Sequence, residues 1–243
     1  MSLGSVRKRY RSLISSLYSR LPADEAAERA IGGEFVAFGI LERELLIQYG
    51  LKPDDYIIDV GCGSGRLANA LTGFLSERGR YLGIDLVPEL LSHARALVAP
   101  SRFRFQTAAG LLIPEGDSEA DFVCFFSVFT HLYLEQSYKY LTDARRVLKP
   151  TGRIAFSFLE FRIPCHWDVF SSDVEHVNEE RPPNVFLSRE AIEIWAGHLG
   201  LKIVSIDDCL ENSIPLPHPI TLDDGRVIEH KGSLGQTVCI LEK

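Results

Sequence analysis

The stretch that most restricts how this chain can fold is Tyr56 to Gly65, which reads YIIDVGCGSG. Tyr56, Ile57, Ile58 and Val60 make a short apolar run of the kind found in parallel strands covered on both faces. The run stops at Gly61, Gly63 and Gly65, and a helical pattern begins at Arg66. Glycine supports a sharp strand-to-helix turn and lets another group approach the backbone without meeting a Cβ. The unpaired amides that open the next helix favour electron-rich groups. Asp59 stands just before the first glycine, at the carboxyl end of the strand, where ligands of open α/β sheets collect. Its carboxylate is placed to meet a cationic part of a ligand.

Downstream, the pattern alternates. Leu67, Ala70, Leu71, Phe74 and Leu75 predict a helix closing at Glu77-Arg78-Gly79. Tyr81 to Ile84 predicts a second strand ending in Asp85, and Glu89 to Val98 a helix stopped by Pro100. Phe103 to Thr107 and Asp121 to Phe126 predict two more strands. Leu134, Tyr138, Leu141 and Leu148 mark the next helix, ended by Lys149-Pro150-Thr151-Gly152, and a fifth strand follows from Arg153 to Leu159. Strands alternating with helices predict right-handed crossovers and a doubly wound, mostly parallel sheet of the Rossmann-like α/β class.

Ahead of this core, Tyr10, Leu13, Ile14, Leu17, Tyr18 and Leu21 recur at helical spacing among Arg7, Lys8, Arg9, Arg11 and Arg20. A basic amphipathic helix can meet a membrane or an acidic partner, but the spacing equally describes an apolar stripe packed on its own domain, and the latter is the expectation. Pro22-Ala23-Asp24 breaks the pattern. A second helix is predicted from Glu34 to Gln48, and Gly32-Gly33 before it reads as a flexible connector.

Composition excludes several classes. The 243 residues suit one large α/β domain with an appendage, and 46% hydrophobic content supplies a sizeable core. A net charge of -7 offers no global positive field for nucleic acid. Cys62, Cys124, Cys165, Cys209 and Cys239 are odd in number and scattered without a C-x-x-C pair, against a disulfide framework or a zinc site. No apolar run approaches membrane-spanning length and the start lacks a signal-peptide core. The expectation is a soluble, cytoplasmic protein that binds no metal.

Two cofactor classes use such a glycine turn. A dinucleotide turn, G-x-G-x-x-G, would need glycine where this sequence has Arg66. The pattern D-x-G-x-G-x-G instead resembles the first motif of the class I S-adenosylmethionine-dependent methyltransferases. Three further passages support the resemblance. Phe126-Ser127-Val128-Phe129-Thr130-His131-Leu132 is similar to the family's S-V-x-x-H-L segment after the fourth strand. Arg146-Val147-Leu148-Lys149-Pro150-Thr151-Gly152 is similar to its R-x-L-K-P-G-G turn. The apolar stretches Leu201 to Asp207 and Gln236 to Leu241 match a sheet closed by an antiparallel seventh strand in a hairpin with the sixth. The resemblance implies a seven-stranded sheet, N-terminal cap helices over residues 1–50, and a catalytic domain over 51–243 with insertions at about 160–187 and 209–234.

It also implies a site. S-adenosyl-L-methionine would be bound, and S-adenosyl-L-homocysteine released, with Asp59, Gly61, Cys62, Gly63 and Gly65 around its amino acid end and Ser127 nearby. Asp85, ending the second strand, can accept both hydrogen bonds of a ribose diol; the same acid can also cap the helix beginning near Pro88. Many family members carry an acid two residues after the third strand's Gln. Here Gln106-Thr107-Ala108-Ala109 puts Ala108 in that place, so adenine recognition falls to backbone at Ala109 or Gly110 and to packing by Leu86 and Leu111. His131 is the candidate general base, because imidazole titrates near neutrality; the alternative is that it hydrogen-bonds a loop or caps the helix beginning near Leu134.

The two insertions are expected to form the acceptor pocket. The first holds Phe161, Cys165, His166, Trp167, Phe170, His176 and Pro182-Pro183; the second holds Pro215, Pro217, His218 and Pro219 with a turn at Asp223-Asp224-Gly225. Pro164-Cys165 resembles the Pro-Cys pair of carbon-5 pyrimidine enzymes but follows the wrong strand, and no [D/N]-P-P-[Y/F] motif follows the fourth strand. The acceptor is therefore expected to be a small molecule, with its attacked atom and the oligomeric state left open. The alternatives are a nicotinamide-dependent oxidoreductase, disfavoured by Asp59 and Arg66, and a non-catalytic domain that binds the cofactor as a ligand.

Overall fold

The computed structural model describes residues 3–98, 101–179 and 184–243. Pro100, Pro182 and Pro183, and the side chains of Arg7, Lys8, Arg9 and Leu13, lie outside what is described. Seven strands form the central sheet: β1 (Tyr56–Val60), β2 (Arg80–Asp85), β3 (Phe103–Thr107), β4 (Ala120–Phe125), β5 (Leu148–Phe158), β6 (Lys202–Asp207) and β7 (Thr237–Glu242). Their order is β3-β2-β1-β4-β5-β7-β6. β1 to β5 pair in parallel, whereas β7 runs antiparallel between β5 and β6. This is the doubly wound, mostly parallel sheet with an antiparallel last strand that the pattern predicts.

The helices are α1 (Leu3–Tyr18), α2 (Ala23–Arg29), α3 (Phe35–Gln48), α4 (Arg66–Leu71), α5 (Pro88–Leu97), α6 (Leu134–Val147), α7 (Pro164–Glu175) and α8 (Arg189–Leu199). All five positions of β1 are buried because helices cover both faces of the sheet. Tyr56, Ile58 and Val60 face a core shared with Tyr140, Leu141, Ala144, Ile192 and Ala196 of α6 and α8. Ile57 faces the opposite core, with Leu41, Leu45 and Leu46 of α3 and Leu67, Ala68 and Leu71 of α4. The alternation that buries Ile57 there also turns Asp59 toward the α3–α4 side.

Three elements differ from the sequence pattern. α2 is absent from it, since seven residues are too few to show a period; Ala26 and Ala27 are nonetheless fully buried. α4 ends at Leu71, short of the predicted Leu75, and the chain continues through a turn. β5 begins at Leu148, because Leu148 already pairs with Ala120 and the Lys149-Pro150-Thr151-Gly152 passage spans an irregularity in the β4–β5 register. Lys149 itself holds Asp121, whose other role is to accept the N–H of Tyr56 at the start of β1.

The second insertion does not take its expected place, and the first does so only through Asp173 and Asn184. Residues 209–234 make two short antiparallel pairs, Ile214–Pro215 with Lys231–Gly232 and Ile220–Thr221 with Val227–Ile228. Ile214, Ile220, Leu216, Leu222 and Ile228 give them an apolar face, which packs with α3. Glu34 and Asp223 lock this contact, each backbone N–H donating to the other's carboxylate. The predicted turn at Gly225 is present, at φ +86°. The first insertion contains α7 and a satellite aromatic cluster in which Phe161 stacks on Phe186 at 4.4 Å and Phe170 meets both edge-on. Trp195 of α8 packs against the α6 side of the core, edge-on to Tyr138.

Among the described residues no helix is long and apolar enough to cross a membrane. The apolar stripe of α1 packs inward: Ile14 is buried against Val87 and Leu90 at the start of α5, with Tyr10 and Tyr18 beside it. Arg11 pairs with Glu89 on the same contact.

Candidate active site

A cavity of about 550 Å³ opens at the carboxyl ends of β1, β2 and β4, roofed by α1 and the α2–α3 connection. Asp59, Gly61, Cys62 and Gly63 form its floor, Asp85 and Leu86 one side, and Ser127, Val128 and His131 another. The size lies within the ~300–1,000 Å³ typical of small-molecule sites.

The turn after β1 is shaped by what surrounds it. Gly61, Gly63 and Gly65 all have positive φ. A Cβ at Gly61 would sit 2.3 Å from Val128 Cγ2, and one at Gly63 would sit 2.5 Å from Ile31 Cγ2. The loop is thus clasped between the segment after β4 and the segment after α2. Gly32 and Gly33, read from sequence as a flexible connector, belong to this clasp: Arg66 donates to the carbonyls of Ile31 (2.8 Å) and Gly33 (2.6 Å).

Electrostatically the cavity is dominated by acid. Asp59 is 3% exposed and accepts the Tyr81 hydroxyl at 2.6 Å. Burial pushes its carboxyl up to about 7, against the opposing effect of that hydrogen bond. Glu42 of α3, also buried, is pushed up to about 8 by burial, with Arg66 pulling the other way from 3.6 Å. Asp85 accepts the N–H of Gly63 at 3.0 Å and of Val87 at 2.8 Å; burial raises its carboxyl while those amides lower it. Asp85 does not cap α5, whose N-cap residue is Val87 and which has no side-chain cap; it braces the chain just before the helix, and lone pairs remain for a ligand because a carboxylate offers about four acceptor sites. Glu42, Asp59, Asp85 and Asp173 outnumber Arg29 and Arg66 in the wall, and Nε of Arg66 is buried without a hydrogen-bond partner. Such a set suits a ligand that carries positive charge together with an acceptor for Arg66.

Seven of the predicted site residues besides His131 line the cavity: Asp59, Gly61, Cys62, Gly63, Asp85, Leu86 and Ser127. Ser127 stands at φ +56°, its N–H donating to Ser157 Oγ and its hydroxyl to Gln236. Gly65, Ala109 and Gly110 are not in the wall. Gly65 serves packing, since its missing Cβ would lie 2.9 Å from Ala94 Cβ of α5. Gly110 offers its carbonyl to the Tyr140 hydroxyl, and it is Ala108 and Tyr140 that reach the cavity. His131 ends a short 3-10 turn, Phe129–His131, and meets the Tyr10 ring edge-on at 5.5 Å.

The aromatic residues of the first insertion do not line this cavity; Asp173 and Asn184 do, hydrogen-bonded to each other at 3.1 Å. No residue of 209–234 reaches it. Glu42 and Arg66 escaped sequence reasoning. Glu42 follows Phe38 by one helical turn on a face otherwise apolar, which is the signal that marks a buried acid. Arg66 was visible only as the residue that spoils a dinucleotide turn.

The strand order and an acidic crevice beyond the carboxyl ends of β1, β2 and β4 define a Rossmann-like α/β protein with its cavity at the glycine turn. Residues 58–156 match a family model described as a methyltransferase domain. A protein of Aspergillus luteorubrus named "probable methyltransferase ltbC" is 32% identical over 186 residues, covering 72% of this chain and 57% of that protein. An O-methyltransferase of Penicillium expansum, cnsE, is 24% identical over 200 residues, covering 81% of this chain and 68% of that protein. The chain therefore spans little more than half the length of the first relative. The fold matches that of a SAM-dependent methyltransferase from Methanosarcina mazei with TM-score 0.56 at 18% identity, covering 82% of this chain and 96% of that one. Residues 58–156 therefore carry a methyltransferase domain, on a fold shared with S-adenosylmethionine-dependent methyltransferases.

Proposed function

We propose that this protein transfers a methyl group from S-adenosylmethionine to a small-molecule acceptor by in-line displacement. The observation that carries the reading is the set of Asp59, Glu42 and Asp85 around Arg66 in one cavity at the glycine turn. When bound, the cofactor supplies a methyl group already activated on a sulfonium, so no further electronic activation is asked of the protein. Asp85 would hold the ribose hydroxyls, its carboxylate kept in place by the amides of Gly63 and Val87. Asp59 would face the ammonium of the amino acid end, and Arg66 its carboxylate. Leu86, Ala108 and Leu132 offer apolar walls for the adenine. Holding acceptor and methyl in line accounts for several kcal/mol of barrier. The remaining wall, with Tyr10, His131, Asp173, Asn184 and Gln236, would orient the acceptor.

His131 is the proposed general base for an acceptor that is protonated when it binds. One relative is named an O-methyltransferase, which makes hydroxyl acceptors the first to assay. Residues 1–50 are read as a cap and 51–243 as the catalytic part, and five free thiols support a reducing, cytoplasmic setting. Calorimetry tests the reading: S-adenosylhomocysteine binds and a nicotinamide dinucleotide does not. The opposite order of affinity would overturn it. Turnover of a hydroxyl acceptor that persists unchanged across pH in His131→Ala would remove the base and leave the transfer.

A further inference from the structure

The five cysteines are scattered in sequence, but the fold brings two of them together on the far side of the first insertion. Cys165 lies in the first turn of α7 and is exposed; Cys209, 44 residues later and just beyond β6, is half-buried. Their sulfurs are 3.6 Å apart. We propose that Cys165 and Cys209 form a redox-active dithiol that exchanges with small disulfides of the glutathione type.

His166 completes the cluster, with Nε2 3.5 Å from Cys209 Sγ. Two thiols and an imidazole also describe a metal site, since the three donor atoms lie within 4.8 Å of one another. The tautomer argues against that reading. The Glu160 N–H donates to His166 Nδ1 at 3.1 Å, so Nδ1 carries the lone pair and the proton sits on Nε2. From there it faces the Gly235 carbonyl at 3.1 Å and the Cys209 sulfur. A metal at Nε2 would need that nitrogen's lone pair while Nδ1 still faces a donor, which a neutral imidazole cannot supply. An N–H aimed at sulfur instead stabilises a departing or attacking thiolate.

The two thiols differ in access, and this orders the steps. Exposed Cys165 meets a disulfide in solution first. Burial, and then the adjoining Cys165 sulfur, push the Cys209 thiol up to about 12, so it waits protonated. Cys165, as thiolate, attacks one sulfur of glutathione disulfide; the S–S bond breaks, one glutathione leaves, and a mixed disulfide forms on Cys165. Cys209 then gives its proton to solvent and attacks Cys165 Sγ, expelling the second glutathione. The protein loses two electrons and two protons, and glutathione disulfide becomes two thiols. The product bond would tie the start of α7 to the segment after β6. α7 also carries Asp173, about two turns beyond Cys165, and Gly235, which faces His166, precedes Gln236, so the bond would fix two segments that supply cavity-lining residues.

The test uses the full chain. After incubation with oxidised glutathione under native conditions, intact mass falls by two hydrogens, and peptide mapping links residues 165 and 209; dithiothreitol reverses both. Buried Cys62, Cys124 and Cys239 stay unmodified. Cys209→Ser accumulates one glutathione on Cys165, since nothing displaces it, and Cys165→Ser stays unmodified. Amide exchange across α7 slows several-fold in the oxidised protein. A wild-type protein that keeps a stable glutathione adduct without cross-linking would overturn the proposal. So would stoichiometric Zn²⁺ uptake that protects both thiols from alkylation, which would assign the cluster to a metal.

Discussion

Asp59 and Glu42 are acids that the fold keeps close to neutrality. Unfolded, both titrate near 4; folded, burial moves them to about 7 and about 8. A carboxyl whose pKa is raised on folding contributes stability that is complete below the unfolded value and is lost as pH rises through the folded one. The ligand-free protein should therefore melt at lower temperature as pH goes from 6 to 9, and Glu42→Gln should flatten that slope in thermal scans. A bound cation reverses the preference, because it favours the ionised acids. S-adenosylmethionine and S-adenosylhomocysteine both carry the ammonium that Asp59 would face, so affinity for either should rise as pH goes from 6 to 8, with proton release visible in calorimetry across buffers. At Asp85 the expectation is simpler. Asp85→Ala removes a charged acceptor worth about 1.5–3 kcal/mol, so product affinity should fall roughly 10- to 100-fold. An unchanged dissociation constant would remove the ribose role.

The glycines and the buried ion pairs act at the scale of elements. Gly65 combines φ +92° with a site 2.9 Å from Ala94 Cβ, so Gly65→Ala strains the backbone and forces α4 off α5. A loss of about 1–3 kcal/mol is expected in denaturant titrations. Gly110→Ala, with open space around it and no positive φ, should be close to neutral. Just past β5, Glu160 is 2% exposed and accepts three bonds from Arg189 at the start of α8 and one from Thr237 of β7. This one carboxylate ties three elements. Glu160→Ala leaves Arg189 with Asp208 alone at 3.4 Å and the buried Thr237 hydroxyl without its acceptor, and should cost about 1–3 kcal/mol. Elements with long periods, such as α3, α5, α6 and the five parallel strands, were readable within a few residues. α2 and α7 were not: the one is too short to show a period, and the other is hidden in a mixed stretch whose aromatic residues pack among themselves.

On the scale of the whole molecule, the N-terminal helices turn an open crevice into a cavity. α1 places Tyr10 in the wall and anchors itself through Ile14 on Val87 and Leu90. Ile14→Ala removes a fully buried side chain and should destabilise this contact by about 2–5 kcal/mol. If the cap unlatches locally, product affinity should drop several-fold while far-UV circular dichroism stays the same. Equal affinity in the variant would show that the crevice alone suffices. What the sequence alone determined was the sheet, the glycine turn, and the acids at 59 and 85, because strand period, turn chemistry and strand-end position are local properties of the chain. Only the tertiary structure decided that Glu42 and Arg66 enter the site, that residues 209–234 pack on α3 instead, and that Cys165 meets Cys209. Each of those depends on which distant segments share a surface, and no local period encodes that.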